Sequence, residues 1–196
     1  MAEITDKNEL NEAVRRHYEE ISQETTGIEV EADLLSRSIG YKTEDLASIP
    51  EEANLGLGCG NPHELAKPRP GETVLDLGSG RGLDCFLASR AVGETGQVYG
   101  VDQLQSMVDK ATEIAAKKGF TNCRFIRGEI EQIPLPDDLF DLVISNCVIN
   151  LSSDKPAVYG EIFRVIKPGG RVAISDITAK QDLPEAWIMD PHMRAT

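Results

Sequence analysis

The sequence has no apolar run longer than a strand, so it offers no candidate for a membrane-spanning helix. Its first residues, MAEITDKNEL, contain no apolar signal region. Basic side chains are scarce: 20 Lys and Arg stand against 33 Asp and Glu, a formal net charge of −13. So acidic a surface repels phosphate backbones and anionic headgroups, which argues against nucleic-acid and membrane partners. The four cysteines (Cys59, Cys85, Cys123 and Cys147) are spread singly, with no CxxC pair and no Cys/His cluster, and no metal site is expected. The chain is not a short, cysteine-dense secreted framework either, so the expectation is a cytoplasmic protein with four free thiols. His17, His63 and His192 share no spacing pattern, and there is no internal repeat or low-complexity tract.

What is present is an alternation. Leu10, Val14, Tyr18 and Ile21 recur at spacings of three and four, predicting a helix over residues 6–23. A polar stretch follows. TEDLASIP reads as a short helix capped by Thr43, EEANLGLGCGNP as a loop and PHELAKPRPG as a brief helix leading to a turn. From Glu72 onward, strands TVLDLG, GQVYGVD, NCRFIRG, the start of LFDLVISNCVIN, and RVAISDI alternate with helices. Those helices are RGLDCFLASRAVG, LQSMVDKATEIAAKKG and DKPAVYGEIFRVIKPGG, the last closing on Gly169 and Gly170. Strands separated by helices of this size predict a parallel sheet covered on both faces, an α/β Rossmann-like fold in one compact domain.

Two glycine ladders compete for the role of cofactor loop. NLGLGCGNP has no strand in front and is closed by Pro62, whereas VLDLGSGRGLDC has a buried strand before it and a helix after it. Only the second meets the requirement for a sharp turn that aims a helix N-terminus at a ligand. Gly78, Gly80 and Gly82 are spaced GxGxG, not GxGxxG, and follow Asp76, an acid that suits a cationic cofactor better than a pyrophosphate. Asp102 ends the next strand, 20 residues after Gly82, where a carboxylate can accept from both hydroxyls of a ribose.

VLDLGSGRG, VYGVD, GEIEQIPLPDDLFDLVIS and IKPGGRVAISD, in this order, resemble the class I S-adenosylmethionine-dependent methyltransferases. The resemblance implies S-adenosylmethionine as cofactor, held by Asp76, Gly78, Ser79, Gly80, Asp102, Gln103, Glu129, Ile130 and Asn146. Gly78 and Gly80 would lie along its methionine part, Asp102 on the ribose, and Glu129 with Ile130 at the adenine edge and face. It also implies the strand order 3-2-1-4-5, with ligands at the carboxyl ends of the strands where the order reverses.

NLGLGCGNP, LDC and DLVISNCVINLSSDK narrow the resemblance to the arsenite methyltransferases. This implies a small-molecule substrate, arsenite or its thiol conjugate, bound as trivalent arsenic by the thiolates of Cys59 and Cys147. Arsenic in this state is soft and thiophilic, and its lone pair is itself the nucleophile, so no general base is needed. Cys85 and Cys123 are expected to be structural. On this reading residues 1–60 form an N-terminal helical segment and substrate loop, and residues 61–196 the cofactor domain. Tyr18 is a candidate lid aromatic, with ordinary helix packing as the alternative.

The residues after Ile177 show no alternating strand, so the expectation is five strands, the last two of the usual seven being absent, and an open edge at the fifth. A second copy of the chain could pair there to give a homodimer. A quinone-biosynthesis-like methyltransferase acting on carbon or oxygen of a small metabolite is the alternative function. A module that binds the cofactor with little turnover is a third reading.

Overall fold

A computed structural model of the chain describes residues 7–23, 29–181, 183–188 and 190. The predicted helices and strands form largely where the periodicity places them. Helix α1 runs Lys7–Gln23, and α2 (Glu29–Ser38) occupies what the sequence shows only as a polar stretch. The sequence hides α2 because it has few apolar residues: Ala32 is its buried hydrophobic contact, while Leu34 and Leu35 are about half exposed. Helix α3 (Thr43–Leu46) starts at Lys42, with no side-chain cap, so Thr43 is the first helical residue and not the cap expected. A single 3-10 turn, Glu51–Ala53, opens the EEANLGLGCGNP segment, and α4 (Pro62–Ala66) is capped by the Asn61 side chain.

The α/β part follows as β1 (Thr73–Leu77), α5 (Leu83–Val92), β2 (Gln97–Asp102), α6 (Gln105–Lys118), β3 (Cys123–Arg127) and β4 (Phe140–Asn146). A 3-10 turn (Ile149–Leu151), α7 (Lys155–Val165), β5 (Ile166–Ser175) and α8 (Glu185–Ile188) complete it. Helix α7 ends before the expected IKPGG segment, which instead begins β5. Pro168 lacks the N–H a helix interior requires and is tolerated on an edge strand.

The five strands form one parallel sheet in the order β3-β2-β1-β4-β5, as the sequence reading expects. Alternate residues of β1 build the two sides of the core. Leu75 and Leu77 face Val158, Ile162 and Val165 of α7, while Val74 packs with Cys85, Ala88 and Val92 of α5 and Ala66 of α4. Helix α6 joins this second face through Ile114 and Ala115, which meet Phe86 of α5. The sheet is therefore covered by helices on both faces. Cys85 is fully buried, and Cys123 packs half-buried beside Phe125, the structural roles expected of them. Burial, with Asp76 nearby, pushes the Cys85 thiol up, and burial pushes Cys123 up to about 11.

No helix among the described residues is long and apolar enough to cross a membrane. Among those residues β5 pairs only with β4, so its outer edge has no strand beside it.

Candidate functional site

The carboxyl ends of β1, β2 and β4 open into a cleft of about 1060 Å³, roofed in part by α1 through Val14, Tyr18 and their neighbours. This is at the upper end of the range for small-molecule sites, roomy enough for a cofactor and a second small molecule. Cys59, Asp76, Gly78, Ser79, Gly80, Asp102, Gln103, Glu129, Ile130, Asn146 and Cys147 all line it. Residues up to 88 positions apart thus converge on one face.

On the cofactor side, the loop after β1 is held from below. Gly78 and Ser79 donate their backbone N–H groups to Val101 O at 2.8 and 3.1 Å. Gly78 has φ +70°, and a Cβ there would run into Val148. Gly80 has φ +51°, and a Cβ there would meet nothing within 4 Å. This is open space against bare backbone, the cradle that a ligand running along the loop needs. The Ser79 hydroxyl is different: it lies toward Gly100 of β2 and is buried without a hydrogen-bond partner. The backbone of Ser79 is engaged as well, its N–H with Val101 O and its C=O with Gly82 N at 2.8 Å.

Asp102 is almost buried, and each of its oxygens already accepts a backbone N–H, from Gly80 at 2.9 Å and from Leu104 at 2.9 Å. It staples the loop and keeps spare lone pairs, since each carboxylate oxygen accepts two bonds. Burial raises its pKa, and those two N–H groups partly offset the rise. Asp76 is more enclosed still, accepting from the Cys85 thiol at 3.4 Å. Burial, then the charges of Asp84 and Asp102, raise it well above the usual carboxylate range. Acids crowded at one end of a cleft oppose one another's ionisation, and a bound cation would relieve that penalty. Ile130 is buried, whereas Glu129 is mostly exposed and pairs with Arg15 of α1 at 3.5 Å. The donor set fits a cationic nucleoside: the Asp102 carboxylate with its spare lone pairs, an apolar wall at Ile130, and acids near the glycine loop.

On the other side lies the first glycine ladder. Its spacing has a packing reason: a Cβ on Gly58 would strike the Asn146 amide at 2.9 Å, and one on Gly60 would strike Ser175. The loop is pressed against the ends of β4 and β5, and Asn146 fastens it there. Asn146 Oδ1 accepts from Cys59 N at 3.0 Å, and Nδ2 donates to Gly60 O at 2.9 Å. The same Nδ2 reaches Tyr41 Oη at 2.9 Å and Asp84 Oδ2 at 3.3 Å. Tyr41 donates to Asp84 Oδ1 at 2.7 Å, and His63 Nε2 lies 3.1 Å from the same oxygen. Asn146 lines the cleft, but its amide is committed to this network. Tyr41 and Asp84 are functional supports that the sequence reading missed, because nothing in their spacing announces a buried polar cluster. Burial and Asp84 keep the Tyr41 phenol protonated.

Cys147 follows β4 with φ +60°, a left-handed conformation uncommon for a residue with a Cβ, and its N–H donates to Ser175 O at 2.8 Å. Such an outlier at a site is a mark of a constrained functional position. Cys59 and Cys147 are joined as a disulfide, their Cα atoms 5.6 Å apart. This corrects the expectation of four free thiols; Cys85 and Cys123 alone are free. The pair escapes sequence rules because 88 residues separate its members. Asp176, just past β5, completes a group whose ligand atoms lie within 4.8 Å of one another: Cys59, Cys147 and Asp176. The chain's crossovers bring these three residues together although no local motif links them.

Tyr18 lines the cleft from α1, its phenol pushed up by burial and by Asp176. Helix α1 is tied down by Arg81 Nη2 donating to Ser22 O at 2.8 Å and by the Ser22–Ser106 hydroxyl pair at 2.9 Å.

Residues 68–195 match a family model described as a methyltransferase domain. An arsenite methyltransferase from Halobacterium salinarum is 50% identical over 156 residues, covering 80% of this chain and 40% of that protein. A ubiquinone/menaquinone biosynthesis C-methyltransferase from Vibrio vulnificus is 38% identical over 126 residues, covering 63% of this chain and 48% of that protein. Among solved structures, an arsenic(III) S-adenosylmethionine methyltransferase from Chlamydomonas reinhardtii is 39% identical with a TM-score of 0.62. That likeness covers 78% of this chain and 52% of the algal one. The chain spans about 40% to 54% of the length of the arsenite methyltransferases it matches. With its Rossmann-like sheet, glycine loop and strand-end cleft, this chain belongs to the methyltransferase-domain family, among relatives that include arsenite methyltransferases.

Proposed function

We propose that this chain binds S-adenosylmethionine in the cleft and methylates trivalent arsenic held by the thiolates of Cys59 and Cys147. The observation that carries this reading is the convergence of those two cysteines, 88 residues apart, beside the glycine loop. The names of the relatives agree with it. A carbon or oxygen acceptor, as in quinone biosynthesis, would leave both thiols and the Asn146 network without a task.

When bound, the cofactor supplies an electrophilic methyl group on a sulfonium. The acids Asp76 and Asp102 favour that cation, Asp102 accepts from the ribose hydroxyls, and Ile130 and Glu129 flank the adenine. Gln103, which lines the cleft beside Asp102, belongs to the same subsite. For the acceptor, the disulfide must first be opened by a thiol reductant, which supplies two electrons and two protons. Arsenite then condenses with the two thiols, forming two As–S bonds and releasing two waters. For methyl transfer the lone pair left on arsenic has to face the cofactor's methyl group, so the task of the protein is alignment more than proton transfer.

Residues 1–60 would act as cover and substrate loop and residues 61–196 as the cofactor domain. A requirement for reduced thiols fits the cytoplasm, where such pairs are kept reduced. Pairing of two copies along the outer edge of β5 would cover that edge.

The test is arsenite-dependent methyl transfer by the reduced protein, followed with labelled methyl groups in the parent, Cys59→Ser and Cys147→Ser. Loss of transfer in both variants, with cofactor binding retained, is expected. Unchanged transfer in Cys147→Ser would sink the arsenic reading.

A further inference from the structure

Three side chains converge on the Asp84 carboxylate, which is buried in the first turn of α5, directly after the cofactor loop, and lines the cleft. Tyr41 Oη donates to Oδ1 at 2.7 Å, His63 Nε2 lies 3.1 Å from the same oxygen, and Asn146 Nδ2 donates to Oδ2 at 3.3 Å. A carboxylate only accepts, whereas an amide donates at one end and accepts at the other. Asp84 therefore decides which way round Asn146 sits. With Nδ2 turned to the carboxylate, Oδ1 is left to accept from Cys59 N at 3.0 Å, and Nδ2 also donates to Gly60 O at 2.9 Å. The reversed amide would set donor against donor at Cys59 and acceptor against acceptor at Asp84 and Gly60. Tyr41 braces the arrangement, its phenol accepting from Asn146 Nδ2 at 2.9 Å while giving its own hydrogen to Asp84.

We propose that Asp84 is a positioning residue for methyl transfer: its charge fixes the orientation of the Asn146 amide, and the amide holds the Cys59 loop against Cys147. This rests on the proposed function above. Asp84 acts through Asn146, and the two ends of that link differ in rigidity. Helix α5 is packed into the core through Cys85, Phe86 and Ala88, so the carboxylate is carried on a fixed element, and the start of a helix favours a negative charge. The cysteine loop has no such support of its own. Residues 54–61 form neither helix nor strand, and Gly56 and Gly58 have positive φ. Those glycines let the loop approach the sheet but supply nothing that grips it. The grip comes from the Asn146 amide, and its direction comes from Asp84. A neutral amide at position 84 loses this control, because it can turn a donor toward Asn146 and reverse it.

The test is an exchange of acid and amide between the two positions, read in a glutathione-buffered titration of the Cys59–Cys147 pair in the full chain. Asp84→Asn should make the disulfide roughly tenfold easier to reduce, since a charge-assisted bond and the amide orientation are lost together. Adding Asn146→Asp to that variant places an acceptor opposite the new amide and still accepts from Cys59 N. The double variant should therefore recover most of the loss. With a merely structural Asp84 the two substitutions would add, without rescue. A parent-like titration in Asp84→Asn, or a double variant no better than Asp84→Asn, overturns the proposal. Should Asp84→Asn not fold, Tyr41→Phe takes its place. It removes the brace from both side chains and should ease reduction severalfold, and a parent-like value there overturns the proposal equally. No arsenic enters these titrations. Methyl transfer at limiting arsenite should fall and recover in the same order. If the parent transfers no methyl to arsenite while the titrations shift as expected, the arsenic reading fails and the placing of Cys59 by Asp84 stands.

Discussion

Replacing Asn146 by Ala probes how Cys59 is brought to Cys147. The side chain makes two direct bonds to the cysteine loop, from Cys59 N at 3.0 Å and to Gly60 O at 2.9 Å. A net worth of about 0.5–1.5 kcal/mol each gives about 2 kcal/mol for the pair. In the oxidised or arsenic-bound protein the loop is held by sulfur bonds and must stay docked. In the reduced variant it is free to drift, so the full 2 kcal/mol is charged against closing the site. That corresponds to a roughly 30-fold lower effective concentration of one thiol at the other. The disulfide should become easier to reduce, its potential rising by about 40 mV for a two-electron couple. Arsenite affinity should fall by the same factor of roughly 30, because both reactions close the same ring. A glutathione-buffered titration of the Cys59–Cys147 pair reads the first, and calorimetry on the reduced protein reads the second. Asn146→Asp keeps the acceptor for Cys59 N but loses the donor to Gly60 O and should fall between. If Asn146→Ala folds normally and shifts neither quantity, the loop is positioned by its glycine packing alone.

Two further outcomes follow from the acids of the cleft. Asp102→Ala should weaken S-adenosylmethionine binding by roughly tenfold to a hundredfold, measured by calorimetry, since it removes a charged acceptor and frees the N–H of Gly80 from its anchor. Parent-like affinity in a folded Asp102→Ala would place the cofactor elsewhere. Asp76 has a raised folded-state pKa, so its contribution to stability is present at low pH and is lost as pH rises from the ordinary carboxylate range through that raised value. The melting temperature of ligand-free Asp76→Asn should therefore gain on that of the parent between pH 5 and pH 8. A difference that shrinks over this range would refute it.

Local physics made the α/β half of this protein readable from sequence. Buried strands such as Thr73–Leu77 and helices closed by glycine, as at Gly93 and Gly119, are set by side-chain periodicity and caps that act within a few residues. The same locality singled out the glycine loop after β1, because strand, turn and helix are contiguous. Helix α2 was invisible for the converse reason, its polar sequence being held in place mainly by what it packs against. Tertiary structure alone decided the rest. It chose where the Gly58–Gly60 backbone is pressed against Asn146 and Ser175, which joins Cys59 to Cys147 and adds Asp176 beside them. It also gathered Tyr41, His63, Asp84 and Asn146 into one polar cluster. These contacts lie between residues dozens of positions apart, and parallel crossovers set them by the packing of whole layers. No spacing rule along the chain can encode a distance that exists only once the sheet has formed.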